Sequence, residues 1–257
     1  MIQKTVYFLV LLPILVLSSG CKDDEKSAEL TETFVTKFYK DASSLEIQVG
    51  FEEGAKPYSI HNGRNAWEIT QSNLESLLEA KNVTIKVPTN PAEITNLGEL
   101  EQINYTRQNI IDVSANLQQY SNDETTKGMT VLFLDGYFIQ NGEPNDRILG
   151  INVNGTSVLA IFKPVINSAS SASSARTLIE QTTVVHEIGH ALGLVNNGVE
   201  PTPDHHDEQN GAHCTNEKCV MFWQNSGAQI ADFIQPFILG GQMDLFGEQC
   251  VADIQAK

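Results

Sequence analysis

The pentapeptide His186-Glu187-Ile188-Gly189-His190 constrains this chain more than any other feature of its sequence. Histidines four residues apart project from one face of a helix, so two imidazole nitrogens can reach one cation. The flanks agree: Val184, Val185, Ala191, Leu192 and Leu194 are apolar, and a helix is expected from about Ala175 to Leu194. The small residues Ser168 to Ser174 read as the loop before it, with the last serines as caps. Glu187, beside the first histidine, can take a proton from a metal-bound water, and zinc is the cation that suits this donor set and such hydrolytic chemistry. The remaining chain must therefore fold so as to bring a third ligand to this helix.

Upstream, strands and helices alternate. Leu45, Ile47, Val49 and Phe51 alternate with Glu46, Gln48 and Gly50 as a strand. A helix follows from Trp67, stopped at Asn82, and then a short strand from Val83 to Val87. A second amphipathic helix is expected from about Tyr105 to Tyr120. Met129 to Ile139 reads as a strand interrupted at Asp135-Gly136, and Ile148–Val153 and Ser157–Phe162 as two strands joined by the Asn154-Gly155 turn. This order predicts an α/β or α+β sheet with helices packed on it. After Val195 the sequence turns glycine-, proline- and histidine-rich, and a last helix is expected from Phe246 to Ala256. The expected organisation is a leader over 1–20, an acidic tether over 21–43, an N-terminal catalytic subdomain over 44–195 and a small irregular C-terminal subdomain over 196–257.

With Gly193 the pattern becomes HExxHxxG, which resembles the metzincin peptidases, where that glycine ends the active-site helix abruptly. The resemblance implies a zincin-type mixed sheet and endopeptidase activity. The clan's third ligand stands three residues beyond the glycine, where this chain has Asn196, a poor zinc ligand. Downstream, His213-Cys214-Thr215-Asn216-Glu217-Lys218-Cys219-Val220-Met221 resembles the archaemetzincin signature. That resemblance implies His213 as third zinc ligand and Met221 as the Met-turn, with residues 196–212 inserted between. Asn196, His205, His206 and Asp207 are rivals for the third ligand, as are Glu200 and Glu208, and His205 and His206 can equally belong to a polar loop at a cleft rim. Trp223 occupies the place where some metzincins carry a supporting tyrosine. Archaemetzincins hold a second, structural zinc with four thiolates; here Gly247 replaces one of them, so a four-thiolate site cannot form. An oxidised pair among Cys214, Cys219 and Cys250, with one thiol left over, is the expectation for an oxidising compartment, its pairing open.

Lys4 followed by the apolar run Val6–Leu17 reads as a secretory leader, too short to span a bilayer comfortably. Ser18-Ser19-Gly20 before Cys21 resembles the lipobox of bacterial lipoproteins, with Ser18 in place of the usual branched aliphatic. It implies acylation (palmitate) of Cys21 and membrane attachment through that lipid. Lys22-Asp23-Asp24-Glu25 looks like the signal that sends some lipoproteins to the outer membrane's external face. A net charge of −16 argues against nucleic acid as a partner. The expectation is thus a monomeric, surface-exposed zinc metalloendopeptidase acting on extracytoplasmic proteins or peptides. The alternative is a surface binding lipoprotein with a structural or degenerate zinc site.

Overall fold

The computed structural model describes residues 33–117, 124–202, 204–227, 229–238 and 243–257. The leader, Cys21, most of the tether and the last residues of the helix expected to reach Tyr120 lie outside the described residues. The chain enters through α1 (Phe34–Asp41) and β1 (Ser44–Phe51). A small hairpin of β2 (Ile60–His61) and β3 (Arg64–Asn65) precedes α2 (Trp67–Leu77), β4 (Thr84–Lys86) and β5 (Ile94–Asn96). β6 (Asn104–Tyr105) leads into α3 (Arg107–Ala115), followed by β7 (Thr126–Leu134), β8 (Tyr137–Gln140) and β9 (Glu143–Asn145). β10 (Gly150–Asn152) and β11 (Val158–Phe162) come next, and then α4 (Lys163–Ala169), α5 (Ser173–Ala191), α6 (Ile230–Ile238) and α7 (Glu248–Ala256).

The main sheet is mixed, in the order β10-β11-β7-β1-β4, with β5 also pairing β1. All its pairings are parallel except β10 with β11. β7 and β11, covered on both faces, consist largely of consecutive buried residues such as Val131, Leu132, Phe133 and Leu134, which is the composition such strands require. The α/β class with a mixed sheet and a long site helix is therefore present as expected. Asn82 ends the segment after α2 in the left-handed conformation (φ 53°), and Gly155 (φ 77°) takes that conformation in the turn between β10 and β11.

Several stretches differ from the sequence reading: α4 and α6 stand where no helix is expected, α4 running into the loop expected from Ser168. Residues 34–41, read as tether, are α1: Val35 and Phe38 are buried, and Thr33 caps the helix by accepting the Thr36 N–H. The serines before α5 do not cap it, because the helix begins at Ser173 and Ala172 holds the cap position.

α5 runs through the interior, covered by α2, α4, α6, β10 and β11. Its polar residues are accordingly partnered. Thr70 Oγ1 donates to Gln181 Oε1 (2.8 Å), and Thr183 Oγ1 donates to the Ile179 carbonyl (2.8 Å). Glu180 pairs with Lys163 at the start of α4 and accepts the Tyr58 backbone N–H (2.7 Å). The Lys163 ammonium also stands 3.7 Å from the Tyr58 ring centre. Burial pushes Glu180 up to about 7, and lowers Lys163, against their mutual attraction. These contacts fix the rotation of α5, and hence which way its histidines point.

Candidate metal centre

His186 and His190 lie one turn apart on α5, their Nε2 atoms 3.1 Å from each other. The His213 ring sits 5.3 Å from His186 and 5.1 Å from His190, centre to centre. One nitrogen from each of the three lies within 4.8 Å of the others. Two of the rings are held by backbone carbonyls: His186 Nδ1 contacts Val220 O (2.7 Å) and His213 Nδ1 contacts Asn210 O (2.7 Å). A proton on each Nδ1 leaves Nε2 with a free lone pair, and His213 Nε2 is buried with no hydrogen-bond partner. Burial lowers all three pKa values, His186 to about 3 with His213 adding to the effect, so the rings are neutral at pH 7.

Neutral imidazoles with converging lone pairs are the donor set zinc takes. A tetrahedral ion with Zn–N of about 2.0–2.1 Å sets ligand nitrogens about 3.4 Å apart. The 3.1 Å separation on α5 is close to that value. The residues fit the ion.

The chain turns sharply after α5. Gly193 (φ +88°) lets the Leu194 N–H reach back to Gly189 O (3.0 Å), and Val195 and Asn196 are also left-handed. Asn197, not Asn196, turns inward: its Nδ2 donates to His190 O (2.8 Å). Asn196 is exposed and outside the histidine cluster, as are Glu200 and Glu208. His206 contacts Gly211 O, and Asp207 organises its own turn by accepting the Gln209 N–H and the Asn210 side chain. His205 belongs to a different cluster, with Cys214 and Cys250. Of the rivals for the third ligand, only His213 is brought to the α5 pair. Met221 is fully buried against α5 at Gly189: a Cβ added there would lie 2.4 Å from Met221 Sδ.

Glu187 is buried at the floor of a cleft of about 410 Å³ that also contains Arg107, Ile151, Asn152 and Asn197. Its carboxylate accepts the backbone N–H of Asn152. Burial nonetheless pushes its pKa up to about 8, the Asn152 bond only partly opposing this. A positive charge nearby is what such a carboxyl needs to ionise at neutral pH.

β10 ends the sheet beside this cleft. Phe162 N–H donates to Leu149 O, and Val153 N–H to Val158 O, so these residues bond towards β11. By alternation Gly150 and Asn152 direct their backbone groups outwards. Gly150 also permits the close approach of β10 to α5, since a Cβ there would stand 2.8 Å from the Thr183 methyl. The partnership of Asn152 with Glu187 escaped the sequence reading; the only local signal was the Asn154-Gly155 turn that places Asn152 near the start of a hairpin.

The expected oxidised pair is not formed. Cys214, Cys219 and Cys250 are all free and buried, and Cys219 Sγ stands 3.5 Å from Cys250 Sγ, beyond the ~2.05 Å of a disulfide bond.

No protein family profile matches this chain, and no curated protein does. Among solved structures, it is similar to a zinc-dependent peptidase from Methanocorpusculum labreanum, with 11% identity and a TM-score of 0.48 over 81% of this chain and 99% of that one. It is also similar to an archaemetzincin from Archaeoglobus fulgidus complexed with malonate. There identity is 16% and the TM-score 0.39, over 82% of this chain and 99% of that one. At such identities the chemistry of the site rests on the side chains described above.

Proposed function

We propose that this chain is a zinc-dependent endopeptidase that hydrolyses proteins or peptides outside the cytoplasm. The observation that carries the reading is the convergence of His186, His190 and His213 beside a buried carboxylate in one open cleft. His186, His190 and His213 would hold the ion, which when bound supplies Lewis acidity that polarises a carbonyl and acidifies water. Glu187 takes the proton of the attacking water and passes it to the leaving amine, its carboxylate oriented by Asn152. The outward backbone groups of Gly150 and the outward carbonyl of Asn152 offer an extended substrate a strand edge, which positions a peptide without regard to its side chains. Met221 supports the α5 ligands from below.

For the cellular location, the reading rests on sequence: acyl chains on Cys21 attach the protein to the outer membrane, facing outwards, and the catalytic part works as a monomer. Mass spectrometry of the membrane-extracted protein should find a diacylated or triacylated Cys21 at the mature N-terminus; an unmodified residue there refutes the anchor.

The test of the activity compares wild type with Glu187→Gln on unstructured protein substrates, both expressed without residues 1–21 and both loaded with zinc. Wild type should cut internal peptide bonds. The variant should keep its metal and lose at least ~10²-fold in rate, the lower range for a general base. Equal rates with the ion in place would sink the assigned mechanism.

A further inference from the structure

The charge lining the histidine cleft runs against that of the chain as a whole. The sequence carries 32 Asp and Glu against 16 Lys and Arg. Yet among the described residues Glu187 is the one carboxyl that lines the cleft, and Arg107 the one Lys or Arg. The Arg107 guanidinium makes no ion pair and no side-chain hydrogen bond among the described residues; it stands over the Phe138 ring, with Cζ 5.1 Å from the ring centre. We propose, resting on the peptidase reading above, that Arg107 grips a carboxylate of the substrate and so selects peptides with a negative charge near the bond that is cut.

The guanidinium is held ready for such a partner. Arg107 is the first residue of α3, whose start is closed reciprocally. Thr106 Oγ1 accepts the Asn109 N–H (3.2 Å), and Asn109 Oδ1 accepts the Thr106 N–H (3.0 Å). Beneath the guanidinium, Phe138 is buried on β8 and packs on Phe162, ring centres 6.1 Å apart, so the platform is fixed. Stacking occupies the face of the guanidinium and leaves the N–H donors along its edge, which is the geometry that takes a carboxylate with two bonds. Little freedom of the side chain then remains to be lost on binding. α3 also has no acidic residue in its first turn, so this cation stands uncompensated at the positive end of the helix. An arriving carboxylate relieves that repulsion.

Gln140 supplies a second donor. It lies two residues from Phe138 on β8, on the same face, and lines the same cleft. Its Oε1 accepts from Asn145 Nδ2 (2.8 Å), so the group left for a ligand is its Nε2. Arg107 and Gln140 thus offer donors only, and an ionised carboxylate is an acceptor with no donor of its own. A cleft of about 410 Å³ holds only a few residues of extended peptide, so the carboxylate lies close to the scissile bond. Because the net charge of −16 repels acidic peptides at long range, the preference is positional: a negative charge helps only where it reaches Arg107.

The experiment uses the full-length chain in mild detergent, equilibrated with zinc, and otherwise neutral peptides blocked at both ends, in which glutamate, glutamine or lysine occupies each position in turn. Cutting is read on the wild type by mass spectrometry, and binding on Glu187→Gln by calorimetry. At one position near the cut, glutamate should be favoured over glutamine by about 10-fold in kcat/KM, mainly through KM, as suits a charge-assisted pair partly open to water, and lysine should be disfavoured. Arg107 is exposed, so its replacements leave the core intact. Arg107→Gln should abolish the preference, Arg107→Lys should keep part of it, and Arg107→Glu should invert it in favour of lysine, which no merely structural role produces. A neutral peptide with its C-terminal carboxylate free tests the other source of the same group: an Arg107-dependent gain for that peptide alone assigns Arg107 to the chain end. Peptides that bind with this charge preference yet stay uncut would refute the peptidase reading and leave the role of Arg107 standing. Peptides handled alike whatever their charge, a preference untouched by Arg107→Gln, or no binding of any peptide overturns it.

Discussion

Gly189 sits between the two α5 ligands, and replacing it with alanine sets two effects of known size against each other. In a helix interior, alanine is favoured over glycine by about 1 kcal/mol. Here, however, the new Cβ would meet Met221 Sδ at 2.4 Å, Met221 Cε at 3.2 Å and Phe246 Cε1 at 3.3 Å. Met221 is fully buried and cannot swing into solvent, so the strain should cost about 1–3 kcal/mol and match or exceed the propensity gain. Gly189→Ala alone should leave stability unchanged or lower it by up to about 2 kcal/mol, a fall in Tm of a few degrees at ~2–4 °C per kcal/mol. Met221→Ala alone should cost about 2–5 kcal/mol through the void it leaves. Combined, the alanine at 189 no longer clashes and keeps its helical advantage, so the double variant should be about 1–3 kcal/mol more stable than the two single changes predict when added. Urea denaturation of all four proteins closes the cycle. Additivity within ~0.5 kcal/mol would refute the claim that Met221 presses on this turn. Zinc titration of Gly189→Ala should also show affinity at the histidine centre reduced by about 10-fold or more, because the support beneath the ligands has moved.

Glu187→Gln should stabilise metal-stripped protein, increasingly so as pH rises. Its folded pKa of about 8 lies above the ordinary 4.5, so the wild-type carboxyl's contribution is complete below pH 4.5 and is lost as pH climbs through 8. The gap should approach about 5 kcal/mol at most above pH 8, and thermal melts at pH 5 and 8.5 that show the same difference would contradict it. Lys163→Met leaves Glu180 buried without its cation and should cost about 3–5 kcal/mol, read by urea denaturation. Adding Glu180→Gln should recover much of that loss, because glutamine can still accept the Tyr58 N–H. Gly193→Ala forces a side chain into φ +88° and to 3.0 Å from Val35, and should cost about 1–3 kcal/mol; an unchanged urea midpoint would refute the tight turn.

Much of the fold could be read in advance because its periodicities are local. β1 announced itself by alternation, α5 by the spacing of its histidines, and the β10–β11 turn by Asn154-Gly155. α4 was hidden because it is short and starts directly after β11, although Lys163-Pro164 breaks the apolar run and a proline suits the first turn of a helix. α1 was hidden by its charged context, though Val35 and Phe38 already have helical spacing. What the sequence could not reveal was pairing at a distance. The parallel register of β1 with β7 joins Val49 to Val131, and nothing near either residue encodes the other. For the same reason His205 looked like a loop residue, since its partners Cys250 and Asp253 lie more than forty positions away. At the site, the α5 pair was legible from spacing alone, whereas His213 needed the resemblance of the segment around it. The thiols looked like disulfide partners because the sequence carries no trace of the imidazole and amide groups that surround them.

α1 acts as a doorstop for the helix that carries the histidine pair. Val35 presses on Gly193 and Gly198, and the Tyr39 hydroxyl donates to Leu192 O (3.1 Å), so the end of α5 is clamped from outside. Burying Val35 and Phe38 is worth about 3–6 kcal/mol, a large share of the stability of an ordinary domain. A protease nicking the short stretch between Asp41 and Ser44 would release that clamp. On the proposed reading, peptidase activity should fall after such a cut even though His186, His190 and His213 all stay intact.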